Sequence, residues 1–299
     1  MMMTKLRQLG LATACLAMLW SITGLFYKGL NYGIEFTGGV VTEFTSSKPL
    51  SQNTLFNVYS SHIEGEFRLN GTQDGLSWTM RQSDQTNIAA QRELLLNVGT
   101  EQGWKINLQE SVFIGSQIGQ ELIEKGGLAL LVSALCMMTY VTFRFEWRLA
   151  SSAILALFHD VLMVLGCFAW FQIKFDLAVL AGLLAIMGYS LNDSIIVGDR
   201  VRELLLSRRY TRLNLLVNQA VTSTFRRTLI TSGTTLTTIA AIGVMAGDVL
   251  GEFSLSLGIG VIVGTISSIS VAATLPPILG LPMDAYLIEP EVNESEEMI

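Results

Sequence analysis

The sequence predicts an α-helical integral membrane protein with six transmembrane helices, plus an α+β ferredoxin-like (βαββαβ) extracytoplasmic domain between the first and second helices. Three observations carry that reading. Half of the 299 residues are hydrophobic and 15% are charged, against about 25% charged in an ordinary soluble domain. Six segments hold the roughly 20 predominantly apolar residues needed to cross about 30 Å of hydrocarbon. The first two of these segments are separated by a polar stretch long enough to fold alone.

The spans fall at 9–27, 127–143, 149–171, 177–198, 228–246 and 253–275. Lys5 and Arg7 precede the first, and no small-residue cleavage site follows it, so it reads as an uncleaved anchor with a cytoplasmic N-terminus. Short-loop arginines fix the rest of the orientation. "RFEWR" holds Arg144 and Arg148, and 199–227 holds Arg200, Arg202, Arg208, Arg209, Arg212, Arg226 and Arg227, so both loops belong inside. The alternate loops, "QIKFD" and "AGDVLGE", share one lysine and carry Asp176, Asp248 and Glu252, which fits the outside. The acidic stretch 289–297 then ends in the cytoplasm as a disordered tail. The organisation expected is 1–28 for the N-terminus and first helix, 29–125 for the insert, 126–275 for a five-helix bundle and 276–299 for the tail. Cys15, Cys136 and Cys167 all sit in apolar runs and read as packing residues rather than a disulfide framework.

Within the insert, alternating apolar residues predict a strand over 33–45 and an amphipathic helix over 52–63, with Leu55, Val58, Tyr59 and Ile63 on one face. A hairpin follows, with strands at 67–69 and 76–80 and Asn70-Gly71 near the turn. A helix over 84–101 and a strand over 104–112 complete the βαββαβ order, the split-βαβ unit. No His, Cys and carboxylate cluster has metal-ligand spacing, and Gly38-Gly39 is too short for a phosphate loop. Neither a metal nor a cofactor is expected, and the insert reads as a binding or mechanical part. The net charge of -6 argues against a nucleic-acid partner, which requires a basic surface.

The residues that packing does not explain lie in the membrane. Asp193 sits inside the fourth span, where an ionised side chain costs roughly 2.5–3.5 kcal/mol on insertion scales, so it needs a partner or a wet path. The plain alternative is a protonated Asp193 that only hydrogen-bonds a neighbouring helix. Asp160, beside His159 in the third span, is a second intramembrane acid next to a titratable imidazole. Adjacent helix positions face directions about 100° apart, so the two do not simply form one site, and a helix cross-link accounts for them equally well. Arg227, at the start of the fifth span, is the expected counter-charge for Asp193, although Arg226 and Arg227 also suit positive-inside anchors. Above Arg227, "TLITSGTTLTT" sets Thr231, Thr235 and Thr238 on one face, a ladder able to bond across helices or hold water. In the sixth span Ser256, Gly260, Gly264 and Ser268 recur every four residues, a small-residue face for close helix packing.

Enzyme readings fail. Nothing around Asp160 or Asp193 resembles the glycine-containing signature of intramembrane aspartyl proteases, and no nucleophile motif accompanies His159.

Taken together, "GIEFTGGVV", "ESVFIGSQIGQEL", "RFEWR", "FHD", "GYSLNDSIIVGDRVRE", "RTLITS" and "FSLSLGIGVIVGTISS" closely resemble the SecD/SecF family of bacterial protein-export membrane proteins, within the resistance-nodulation-division superfamily. The resemblance covers nearly the whole chain and matches the smaller member of the pair. It implies an inner-membrane protein with both termini cytoplasmic and a periplasmic ferredoxin-like domain. It also implies three partners: the larger subunit SecD, the Sec translocon channel (SecY/SecE/SecG) and an unfolded secretory polypeptide. The implied activity is use of an ion gradient, proton or sodium, to help pull secreted chains across the membrane after ATP-driven export. The implied coupling site maps onto Asp193 and Arg227, with Asn192, Asp160, His159 and Thr231 as candidate ion-pathway residues and Gly260 and Gly264 as helix-packing residues. Three positions depart from the family pattern: Glu35 stands for an aspartate, Gly198 for a bulky residue, and Arg226 doubles the arginine.

The mechanism expected is a two-state change. Asp193 binds an ion arriving from outside, Arg227 moves relative to it, and the rigid spans pass the movement to the outer domain. Sodium would want several oxygen ligands, for which Ser190, Asn192, Ser194 and Thr231 are candidates. A half-size small-molecule exporter of the same superfamily is a rival reading, but it expects a much larger outer domain. A non-transporting scaffold subunit is another, in which Asp193 only cross-links helices.

Overall fold

The computed structural model describes residues 2–63, 67–72, 74–82, 87–207, 210–246 and 250–286. Asp84, Arg208, Arg209, Asp248 and the acidic stretch 289–297 lie outside the described residues.

Among those residues, six helices are long and apolar enough to cross a membrane. They are α1 (Met2–Tyr27), α5 (Ser116–Arg144), α6 (Trp147–Phe171), α7 (Leu177–Leu206), α8 (Leu213–Met245) and a broken sixth segment that begins with α9 (Gly251–Ser267). The number agrees with the hydropathy reading, but several helices run beyond the apolar stretches that signal them. Helix α5 starts eleven residues before the expected span, and α8 fifteen before its own. Glutamine, glutamate, lysine and arginine are good helix formers that do not register as apolar, so a helix can continue past the hydrocarbon. At about 1.5 Å per residue, α8 is about 50 Å long.

Half the apolar window of α7 and of the sixth segment is buried inside the protein, and 44% of that of α6, against 11–17% for α1, α5 and α8. Helices α6, α7 and α9 are therefore the interior of the bundle. Cys15 and Cys136, expected as packing residues, face outward on α1 and α5, and Cys167 is partly covered. The sixth segment departs from a continuous span. After Ser267 it passes through a π turn (Ser268–Ala272) and ends in the short α10 (Leu275–Ile278). Pro276 and Pro277 remove two amide donors there. Arg7, expected only as an orientation signal, is 3% exposed and donates from Nη1 to the Ala273 carbonyl at 3.0 Å, which satisfies a backbone acceptor beside the break.

Between α1 and α5 the elements are β1 (Asn31–Tyr32), α2 (Ile34–Thr37), β2 (Gly39–Ser46), α3 (Gln52–Ser60), β3 (Phe67–Gly71), β4 (Ser77–Gln82), α4 (Ile88–Glu101) and β5 (Ile106–Ile114). The strands β2 to β5 form one antiparallel sheet in the order β3-β4-β2-β5. Phe44, Leu55, Tyr59, Leu69, Trp78, Met80, Leu95 and Val98 pack into one core between that sheet and its two helices. Ser51 caps α3 by accepting from Thr54 N, and Asn87 caps α4 by accepting from Ala89 N, a role suited to short polar side chains. Two expectations fail. The strand expected over 33–45 is interrupted by α2, because Gly38 and Gly39 adopt φ of 77° and 133°, conformations that only glycine takes freely. The hairpin turns later than Asn70-Gly71, which are paired within β3 to Thr79 and Trp78. Gly71 serves close approach instead, since a Cβ there would meet the Trp78 ring.

The insert is tied to one end of the bundle. Strand β1 pairs in parallel with β6 (Lys174–Phe175), the two-residue strand between α6 and α7. Glu35 Oε1 lies 3.6 Å from Arg81 Nη1 on β4 and 3.7 Å from Lys174 Nζ, and Lys174 reaches Asp176 at 3.2 Å. Asp176 in turn caps α7 by accepting from Val179 N at 2.9 Å. At the opposite end of α6 and α7 the arginines gather. Arg144 pairs with Asp199 at 2.5 Å, Arg200 donates to Ser223 on α8 at 3.0 Å, and Arg202 lies over the Tyr286 ring. These side chains thus join α5 to α7, α7 to α8 and α7 to the turn at Tyr286, beyond the orientation signal they gave in the sequence.

Candidate functional site within the helix bundle

Asp193 lies near the middle of α7 and is fully buried. Neither carboxylate oxygen has a hydrogen-bond partner among the described residues. Arg227 and Asp160 are the charged groups that act on it, and they do so through space rather than by contact. Arg227 belongs to α8, fourteen residues past its first because the helix begins well before the apolar stretch, and it is exposed together with Arg226. Asn192 is exposed while Asp193 is buried, the two positions lying about 100° apart around the helix. Thr231 is half-buried, and its hydroxyl donates to the carbonyls of Arg227 and Thr228.

Asp160 is also fully buried, but every part of its carboxylate is engaged. Oδ1 meets His159 Nδ1 at 2.9 Å. Oδ2 accepts from Ser190 Oγ on α7 and from Ser267 Oγ on α9, the latter at 2.8 Å. One carboxylate therefore joins α6, α7 and α9. The expectation that His159 and Asp160 point apart fails, because both side chains are long enough to bend toward one another from adjacent positions. His159 is 5% exposed, and its Nε2 has no hydrogen-bond partner among the described residues.

The hydroxyl ladder of α8 is largely self-satisfied. Thr231, Thr234, Thr235, Thr237 and Thr238 donate to carbonyls three or four residues back, the common habit of threonine within apolar helices. Ser232 reaches across, meeting Thr265 Oγ1 on α9 at 2.7 Å and accepting from the Tyr189 hydroxyl at 3.1 Å. The small-residue face of α9 does what its spacing implies. Ser256 lies against Gly182, Gly260 against Ile186, and Gly264 against Ser190, each pair one four-residue step along from the last. A Cβ on Gly264 would sit 3.3 Å from Ser190 Cβ and 3.4 Å from Asp160 Oδ2, so the glycine lets the serine–carboxylate contact form.

Sequence reasoning missed Ser267, Tyr189 and Thr265, and it gave Ser190 only as an ion ligand. A serine in an apolar helix has the same appearance whether it packs, bonds its own backbone or meets a buried acid. The signal that could have found Ser190 and Ser267 is their coincidence, once the helices are aligned, with the level of Asp160.

Outside the bundle, a cleft of about 510 Å³ opens between the sheet, at Glu43, Thr45, Thr79 and Gln109, and the end of α8 at Val244 and Met245. Its lining mixes polar groups with the apolar side chains of Phe44, Trp78, Val244 and Met245.

Residues 96–280 match the family model described as "Protein export membrane protein SecD/SecF, C-terminal", and 24–50 match the "SecD/SecF GG Motif". The chain belongs to the SecD/SecF family. It is 36% identical over 277 residues to the protein translocase subunit SecF of Vibrio alginolyticus, covering 92% of this chain and 88% of that one. It is 38% identical over 266 residues to SecF of Escherichia coli O157:H7, covering 87% and 82%. The crystal structure of SecDF, a translocon-associated membrane protein from Thermus thermophilus, superposes with a TM-score of 0.79 at 32% identity, over 92% of this chain and 38% of that one. SecDF in a super-membrane-facing form superposes with a TM-score of 0.70 at 33% identity. The protein is thus a multi-pass membrane protein whose relatives are protein-translocase subunits. The segment that matches the SecD/SecF GG motif is the one whose glycine pair turns the chain from α2 into β2, next to Glu35. At Gly198, where a bulky residue was expected of the SecD/SecF pattern, the Phe145 ring fills the space at 3.3 Å from a built Cβ.

Proposed function

We propose that this chain acts with a larger SecD subunit in the bacterial inner membrane, coupling a proton or sodium gradient to late-stage export of unfolded polypeptides through the SecY/SecE/SecG channel. It works as a transport subunit rather than as an enzyme. Its units are the N-terminus and first helix (1–28), a periplasmic ferredoxin-like domain (29–125), the five-helix bundle (126–275) and a cytoplasmic tail (276–299), with both termini in the cytoplasm. The antiparallel order β3-β4-β2-β5 supports the ferredoxin-like reading, and the arginine-rich end of the bundle, opposite the insert, supports the orientation.

One observation carries the coupling role: Asp193 is a fully buried carboxylate without a hydrogen-bond partner among the described residues. Packing does not account for such a group. A scaffold subunit would use Asp193 to join helices, but that work falls to Asp160. An arginine drawn close stabilises an ionised carboxylate, and its withdrawal leaves apolar surroundings in which the acid must take up a proton or hold a cation. Arg227, which acts on Asp193 without touching it, is the group whose approach makes the difference. Asn192, His159 and Thr231 stay on the ion pathway only as candidates, since Asn192 is exposed and the other two bond within their own helices. Movement of α7 would reach the outer domain through Asp176, Lys174, Glu35 and Arg81, and the cleft beside the sheet suits an extended polypeptide, whose backbone is polar and whose side chains are mixed.

The test is export into membrane vesicles under a proton gradient alone and under a sodium gradient alone. Stimulation by one gradient is expected and identifies the ion. Stimulation by neither, with the protein present at normal level alongside SecD, contradicts the reading. Drug-sensitive growth on deletion with unaltered export would favour the exporter of small molecules instead.

A further inference from the structure

We infer that Asp160 is a positioning residue for Asp193: it ties α6 to α7 and α9 through Ser190 and Ser267 and so sets where the Asp193 carboxylate stands. The inference rests on the coupling role proposed for Asp193.

Ser190 precedes Asp193 by three residues on α7, so the two lie on the same helix face about one turn apart. Asp193 itself makes no hydrogen bond among the described residues, so its place is set by the helix that carries it. That helix is fixed at this level by Ser190, whose hydroxyl donates to Asp160 Oδ2. Ser267 holds α9 to the same oxygen at 2.8 Å, and Gly264 lets the two helices approach closely enough for both contacts. Ser190, Ser267 and Asp160 are each at most 1% exposed, so water does not compete for the contacts.

Asp160 suits this task because a carboxyl group offers two oxygens and about four lone-pair sites, enough to meet three donors at once. Two hydroxyls and the His159 Nδ1–H meet it, and each of them donates. With Nδ1–H donating to Asp160 Oδ1, a neutral imidazole carries its lone pair on Nε2. An asparagine at 160 would keep one acceptor for the two serines and turn an N–H toward His159. The imidazole would then have to move its proton to Nε2. The node therefore has a signature separate from its effect on export, namely the tautomer of His159.

The charged groups that act on Asp193 are Arg227 on α8 and Asp160 on α6. A shift of α7 changes the distance to both, and with it the external pH at which gradient-driven export is half-maximal. This holds for either ion, because protons compete with sodium for a carboxylate.

The experiment uses the full chain with its partner subunit in vesicles, with Ser190→Ala, Ser267→Ala and Asp160→Asn. Ser190→Ala is expected to leave protein level and ATP-driven export unchanged, and to shift the half-maximal pH by about half a unit or more while lowering gradient-driven stimulation several-fold. Asp160→Asn is expected to do the same and to move the His159 proton from Nδ1 to Nε2, read by nitrogen NMR of labelled histidine. Should Asp160→Asn fail to accumulate, the two serine variants carry the test. A lowered protein level with an unmoved half-maximal pH, or wild-type stimulation and pH in both Ser190→Ala and Asp160→Asn, overturns the positioning role. Failure of the underlying reading is distinct: it is seen when Asp193→Asn itself retains a normal gradient response.

Discussion

Two buried aspartates, Asp160 and Asp193, lie one helix apart and have opposite surroundings. Asp160 accepts from three side chains, whereas Asp193 accepts from none among the described residues. A buried acid that is fully bonded is a structural fastener, and one that is not is available to an ion. Gly264 stands at the contact between the two helices. Gly264→Ala brings a methyl to 3.3–3.4 Å of its neighbours, a tight but tolerable contact, while Gly264→Leu must push α9 away from α7. The expected loss for leucine is about 2–3 kcal/mol or more, read as a lowered melting temperature in detergent, with alanine costing much less. The cost of burying a charge made Asp193 legible in the sequence, and four-residue spacing made Gly260 and Gly264 legible. The bonding of Asp160 was not, because two of its donors are serines on distant helices whose orientation only packing decides.

At the scale of elements, the joint between insert and bundle carries the mechanical argument. Arg81, Glu35, Lys174 and Asp176 run from β4 to the first turn of α7, the helix that bears Asp193. Lys174 and Asp176 are largely buried, at 10% and 13% side-chain exposure, so removing the ammonium costs stability; Lys174→Met is expected to lower the melting temperature somewhat and, at equal protein level, to lower gradient-driven export several-fold with ATP-driven export intact. An unaltered gradient response would show that the joint transmits nothing. Within the insert, the Tyr59 hydroxyl is buried and donates to the Leu95 carbonyl at 3.2 Å, joining α3 to α4. Burial holds this phenol above its ordinary range. The neutral form is the stable one, so its contribution is complete below the unfolded value of about 10 and is lost as pH rises beyond it toward the folded value. Tyr59→Phe should cost about 1 kcal/mol at neutral pH and remove that part of the alkaline sensitivity, measured by thermal melts at pH 7 and above pH 10. The helix-and-strand order of the insert was legible from its alternation, but its breaks were not. Gly38-Gly39 looked like part of a strand and Asn70-Gly71 like a turn, since the same glycines serve φ in one place and close approach in the other.

For the molecule as a whole, three inner helices form a tightly packed centre and three outer helices bury far less of their surface within the chain. The chain corresponds to 38% of the SecDF structure it resembles, and α1, α5 and α8 leave large apolar side chains such as Leu16, Leu128 and Leu229 exposed. Hydropathy made the six spans legible, because the requirement for 20 apolar residues allows few alternatives. Their true lengths were hidden, since polar helix formers extend α5 and α8 beyond the hydrocarbon. The central claim is that Asp193 links the gradient to export. Its most direct test separates ATP-driven from gradient-driven translocation in vesicles carrying wild-type chain or Asp193→Asn at equal levels. The account predicts that the ATP-driven part is unchanged and the gradient-driven part is lost; a gradient-driven part equal to wild type would contradict it.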